Sequence, residues 1–145
     1  MYGKPKFITL LLRLSLGWVF FYSGLTKILN SDWTAKDYLE GAQTFSGFFT
    51  WLASPQNITW INFLNEWGQI AIGVALILGI FVNYASFFGA AMVILYYFPV
   101  LDFPFVENGF LIDDHIIYAL AFLLLIRLRA GRSYSIMSFF GRHPY

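Results

Sequence analysis

Arg13, Lys27, Glu66, Gln69 and His115 stand in stretches that are otherwise apolar, and they are the side chains with which this chain could do chemistry. A charge at the centre of a helix in hydrocarbon costs about 3 kcal/mol on insertion scales, so each needs a partner, a wet cavity or a way out to the headgroups. Lost hydration drives the Glu66 carboxylate towards its neutral form, and a nearby cation opposes that drive. Glu66 with Lys27, or Glu66 with His115, therefore reads as a proton-handling pair. A histidine titrates near neutral pH, which suits His115 to proton exchange with a quinone headgroup. More often such a histidine hydrogen-bonds a neighbouring carboxylate, and Asp113 and Asp114 immediately precede this one.

The expected catalytic set is thus Glu66, His115 and Lys27, with Lys27 tuning the other two. The expected ligand contacts are Arg13, Tyr22, Trp67, Gln69, Tyr97, Asp114 and Tyr118, of which Trp67 and Tyr97, with Phe98, would hold a lipophilic ring. Each has a plainer reading. Asp113, Asp114 and Glu66 could be solvated helix ends, with Glu66 favoured by the positive first turn of its helix. Gln69, one turn deeper on nearly the same face, argues instead for a polar site around Glu66. No acid lies at the depth of Arg13, so it snorkels, is neutralised by carbonyls and hydroxyls of packed helices, or touches a lipid or ligand headgroup. His143 is in the tail, and no cysteine occurs. No haem, metal or iron–sulfur cluster is therefore expected from this chain, and dithiol chemistry is excluded.

The elements that must position these groups are membrane spans. The chain is 59% hydrophobic and 12% charged, far from the balance of a soluble domain. About 20 helical residues cross a bilayer core. Four segments approach that length, at approximately 7–28, 61–81, 84–101 and 115–128, in a single domain over 1–145. The expected fold is all-α, an integral membrane four-helix bundle with an extracytoplasmic interfacial helical segment between helices 1 and 2. Lys4 and Lys6 precede the first span, and Arg127, Arg129, Arg132 and Arg142 follow or end the last, whereas all eight acidic residues fall at the other side. The positive-inside rule then puts the N- and C-termini in the cytoplasm of a multi-pass cell-membrane protein. No small-x-small cleavage site follows Lys4 and Lys6, so the first helix reads as retained. The basic tail is too sparse for nucleic acid and suits an anionic leaflet.

On the first span Arg13, Gly17, Phe20, Gly24 and Lys27 share a face, and its two glycines allow a neighbouring helix to come close. On the second, Glu66, Ile70, Gly73 and Ile77 align. The connection between them predicts a helix from Trp33, capped by Ser31 or Asp32, then an apolar stretch at 44–53 too short to span. Asn57-Ile58-Thr59 is a glycosylation sequon in that connection. Pro99 and Pro104 are expected to break the third span into an aromatic, acidic outer loop.

The stretches LLRLSLGWVFFYSGLTKIL, NEWGQIAIGVALILGIFVNYASFFGA and DDHIIYALAFLLL together resemble the DoxX family, which includes DoxD-type membrane subunits of thiosulfate:quinone oxidoreductase. The likeness runs from about Phe7 to Arg132. It implies a four-helix membrane bundle, in some members passing electrons into the quinone pool. The implied cofactor is a non-covalently bound quinone, and the implied partners are the lipid bilayer with a second oxidoreductase subunit or further copies of the chain. Without a cysteine, any thiosulfate chemistry would need a partner or a non-covalent route. The competing expectation is a non-catalytic accessory or assembly protein that docks a partner through its outer segment.

Overall fold

Glycines decide how the two longest helices meet. The computed structural model describes residues 6–107, 109–132 and 134–136; Lys4, Arg142 and His143 lie outside the described residues. Helix α1, Lys6–Leu29, packs against α4, Ile58–Leu78, along most of its length. A Cβ on Gly73 would lie 2.5 Å from the Phe21 amide nitrogen and 2.7 Å from the Gly17 carbonyl oxygen. One on Gly24 would lie 2.7 Å from the Glu66 carbonyl oxygen. The glycine face read from the sequence is thus the seam between α1 and α4, with main chain against main chain.

A left-handed turn reverses the chain after α4. Gly79 holds φ +73°, its amide bonded to the Ala75 and Leu76 carbonyls, which is the favoured helix ending for a residue without a side chain. Helix α5, Val82–Val100, returns antiparallel and pairs with α6, Asp114–Arg127. Gly89 lies against the Phe122 ring, and that ring meets Phe20 of α1 edge-on at 5.1 Å. Leu16, Leu76, Val93, Phe122 and Leu125 are buried in this shared core.

Among the described residues, α1, α4 and α5 are long and apolar enough to cross a membrane. At 14 residues α6 is about 21 Å long, shorter than a typical span. Its outward residues Ile117, Leu120, Leu123 and Leu124 are nevertheless exposed and apolar, like Trp18 and Val19 on α1 and Phe87 and Phe88 on α5.

Three local expectations change. Helix α2 is Lys36–Glu40, not a helix from Trp33, and neither Ser31 nor Asp32 caps it. Its start is held instead by Thr34 Oγ1, which accepts from the Lys36 amide, and by Asn62 Oδ1 of α4, which accepts from the Ala35 amide. With α3, Ser46–Leu52, it forms a small cap over the start of α4 and the end of α5, with Leu39, Phe49 and Leu52 buried beneath it. Pro99 lies inside α5, and the helix ends one residue later, at Val100, after the proline has removed an amide donor from its last turn. The loop beyond it is a small antiparallel sheet, β1 Leu101–Asp102, β2 Phe105–Val106 and β3 Gly109–Phe110. Finally, α4 begins at Ile58, so Glu66 sits in its third turn, away from the unpaired amides of the helix start.

Candidate functional site

Lys27 reaches from α1 across the seam to α4. Its ammonium donates to Ser23 Oγ at 2.7 Å and to Gln69 Oε1 at 2.9 Å, with the Ser23 carbonyl at 3.4 Å. The Trp33 ring covers it, 5.3 Å from the ring centroid. Glu66, half-buried one turn outward from Gln69, is close enough for its charge to act on Lys27. Among the described residues it makes no ion pair with Lys27.

The start of α6 builds a second polar group. Asp113 is the N-cap, its Oδ1 accepting from the His115 and Ile116 amides at 3.0 and 3.4 Å. Its other oxygen lies 2.6 Å from His115 Nδ1. A carboxylate at that distance accepts, so Nδ1 carries the hydrogen and Nε2 is left for another partner. The carboxylate that holds His115 is therefore Asp113, not Glu66. Two residues of local chain and a capped helix start bring the pair together with no long-range contact required.

Side chains from both places line a cavity of about 180 Å³ between α1, α4, α5 and α6. Val19, Phe20 and Val93 give it apolar walls, and Ser23, Gln69, Tyr96, Asp114, His115 and Tyr118 supply the polar ones. The Tyr96 hydroxyl is buried and makes no hydrogen bond among the described residues. A buried hydroxyl without a partner costs about 1–3 kcal/mol, so a ligand oxygen there would gain what the protein leaves unmade. Above the cavity Tyr38 of α2 donates to the Tyr96 carbonyl, tying the cap to α5. Burial pushes the Tyr38 hydroxyl above the ordinary tyrosine range, and the charges of Glu107 and Asp113 push the same way.

Of the residues singled out from the sequence, Gln69, Asp114, His115 and Tyr118 line the cavity, and Lys27 stands behind Gln69. Glu66 is beside Lys27 but not on the cavity wall. Tyr22 and Trp67 point outward, each about half exposed, and Tyr22 stacks on Trp18. Tyr97 is buried on another side of α5, its hydroxyl donating to the Leu111 carbonyl. Arg13 is far from all of them. Fourteen residues before Lys27, it lies about 21 Å away along α1. There it is 1% exposed and donates to the carbonyls of Ala130 and Tyr134 at 3.0 and 2.8 Å. Packed carbonyls are one of the settings the sequence offers for it.

Ser23, Tyr96 and Asp113 belong to the site although the sequence set omits them. Asp113 carries a usable signal, an aspartate immediately before an apolar helix with a histidine two residues on. Tyr96 carries none, because α5 is apolar on every face. Among the described residues no cluster of three or more histidine, cysteine or acidic side chains could hold a metal ion.

No curated protein and no solved structure matches the chain. A family model described as DoxX matches residues 8–101, more than half of the 145 residues. That stretch holds α1, α4 and α5 with Ser23, Lys27, Gln69 and Tyr96, while α6 with Asp113 and His115 lies beyond it. With three helices apolar and long enough to cross a membrane, the chain is a multi-pass membrane protein belonging to the DoxX family.

Proposed function

We propose that this protein is the membrane subunit of a quinone-linked oxidoreductase, with the outer cavity as the site of the quinone head ring. In this reading α6 is a fourth crossing, accommodated by local thinning of the bilayer, which its outward leucines and isoleucine support. The α2–α3 cap lies at the extracytoplasmic interface of the cell membrane, and both termini are cytoplasmic, as the charge asymmetry favours.

The residues present fit such a group. An apolar cavity of about 150 Å³ accommodates benzene, so about 180 Å³ suits one six-membered ring, whose apolar tail would run out into lipid. Val19, Phe20 and Val93 would give the ring apolar walls, and the Tyr96 hydroxyl, buried without a hydrogen bond among the described residues, would supply a donor to a ring oxygen. When bound, a quinone supplies the electron-accepting chemistry, with the electrons delivered by a partner subunit. The chain's own part is to hold the ring and handle protons. Asp113 fixes the His115 tautomer, so that Nε2 is the atom able to take or give a proton at the cavity. Asp114, exposed beside it, connects that atom to outside water.

The observation that carries this reading is the histidine–aspartate pair at 2.6 Å on the wall of a ring-sized cavity. Native mass spectrometry of protein released gently from its own membrane tests it. A co-purifying quinone, retained by the wild type and lost from His115→Ala with the helical content intact, is the expected result. A protein carrying a companion subunit but no quinone would favour the accessory reading, with the α2–α3 cap as the docking surface.

A further inference from the structure

We infer that Lys27 is a positioning residue that converts Ser23 and Gln69 into a wall of hydrogen-bond donors, so that the cavity selects a ring bearing an oxygen acceptor on its α1–α4 side. This rests on the cavity being a ligand site, and it goes further by assigning the ligand's polarity and orientation.

An ammonium has three donors and no acceptor. Whatever faces Lys27 must therefore present oxygen, which fixes the Gln69 amide with Oε1 towards Nζ at 2.9 Å. The Gln69 NH2 is thereby turned away from Lys27. Ser23 is used in the same manner. Its Oγ accepts from Nζ at 2.7 Å, leaving the hydroxyl hydrogen to donate elsewhere. Both side chains line the cavity, so the cation spends their acceptor capacity from behind and leaves donors in front. Gln69 as a whole is buried, so its amide is held in place and its donors face the cavity already oriented.

The opposite wall differs. His115 Nε2, in the neutral ring, is an acceptor, and Asp114 is a carboxylate. A ring with two oxygens would thus be read asymmetrically. One oxygen is held by fixed donors on α1 and α4, and the other fits the α6 side as a hydroxyl, which Nε2 would accept from. A carbonyl or an oxyanion fits the first position, whereas a group that can only donate does not.

The test compares two rings of the same shape, a dimethyl-benzoquinone and the tetramethylbenzene in which methyls replace both oxygens. Each is measured by equilibrium dialysis against protein in nanodiscs, with uptake by empty nanodiscs subtracted. The wild type is expected to prefer the quinone. Lys27→Met and Gln69→Glu are each expected to reduce that preference by about fivefold, the worth of a neutral hydrogen bond. Gln69→Glu is the sharper variant, because it keeps an oxygen for Lys27 and the shape of the wall while exchanging the donor for a carboxylate oxygen that repels a ring oxygen. A general loosening of the fold would weaken both rings alike and leave their ratio unchanged. A ratio unaltered in both variants overturns the donor wall while leaving a ring site in place. Failure of the wild type to bind either ring overturns the site itself, and with it the proposed function.

Discussion

Replacing Gly73 by alanine is expected to push α1 off α4 and to loosen the candidate site, whose Gln69 lies one turn, about 6 Å, away along α4. The added Cβ would sit 2.5 Å from the Phe21 amide nitrogen and 2.7 Å from both the Gly17 carbonyl oxygen and Phe21 Cα. All three are main-chain atoms of a helix, with no rotamer to change. Comfortable separation between non-bonded carbons is about 3.5–4.0 Å, so the helices must part locally by roughly 1 Å. Overpacking of this kind costs about 1–3 kcal/mol, against about 0.5–1 kcal/mol gained by replacing a helical glycine with alanine. The net expectation is a loss of about 1–2 kcal/mol. Gly68 supplies the control on the same helix, since its Cβ would meet only the flexible end of Met92 at 3.4 Å. Denaturant unfolding in mixed micelles, followed by circular dichroism, compares the two. The same displacement would lengthen the 2.9 Å bond between Lys27 and Gln69, so Gly73→Ala should also weaken quinone uptake. Equal stability of Gly73→Ala and Gly68→Ala would refute the seam as described.

Arg13→Met should destabilise the protein by about 1.5–3 kcal/mol for each charge-assisted bond it forfeits, measured by the same unfolding assay. Because Arg13 is about 21 Å from Lys27 along α1, ring binding at the outer cavity should persist in the folded fraction; selective loss of binding would return Arg13 to the ligand site. Asp113→Asn should keep α6 capped within a few tenths of a kcal/mol, since asparagine caps as well as aspartate. Its amide cannot offer His115 the second carboxylate oxygen, so the imidazole should lose its fixed Nδ1–H tautomer, readable in the ring nitrogen shifts by NMR; an unchanged tautomer contradicts the pairing. For Tyr38, whose folded proton affinity is raised, the native contribution is complete below the ordinary tyrosine pKa of 10.0 and lost as pH rises beyond it, because the unfolded chain releases its proton first. Tyr38→Phe should remove that alkaline loss while costing about 0.5–1.5 kcal/mol at neutral pH for the bond to the Tyr96 carbonyl; a tyrosinate absorbance titration run beside unfolding checks both.

What the sequence reveals here follows from periodicity. On α1 the glycines and charges recur at helical spacing against an apolar background, so the face carrying Arg13, Gly17, Gly24 and Lys27 can be drawn without coordinates, and it is the face that packs. Gln69 could be placed beside Glu66 for the same reason, whereas its bond to Lys27 across the seam shows only in the structure. Helix α5 offers no such contrast. Tyr96 and Tyr97 are adjacent and chemically alike, and only the rotation set by Gly89 on Phe122 sends Tyr96 to the cavity and Tyr97 to the Leu111 carbonyl. Glu66 draws attention because a charge in an apolar run is conspicuous, whereas the sequence leaves open which of Asp113 and Asp114 holds His115 until the two oxygens of Asp113 are followed to their partners. The start of α2 was hidden differently. Its capping oxygen comes in part from Asn62, twenty-seven residues beyond the amide it accepts from, which no local rule can anticipate.

Photolabelling with an azido-quinone in native membranes, followed by peptide mapping, confronts the central claim most directly. The expected adducts concentrate on the outer half of α1 around Val19–Ser23, on α5 near Tyr96 and on the first two turns of α6, and they disappear when excess unlabelled quinone competes. Adducts spread over the outward aromatic residues, such as Trp18, Phe87 and Phe88, and unaffected by competition would mean that the ring meets this protein only as part of the lipid around it.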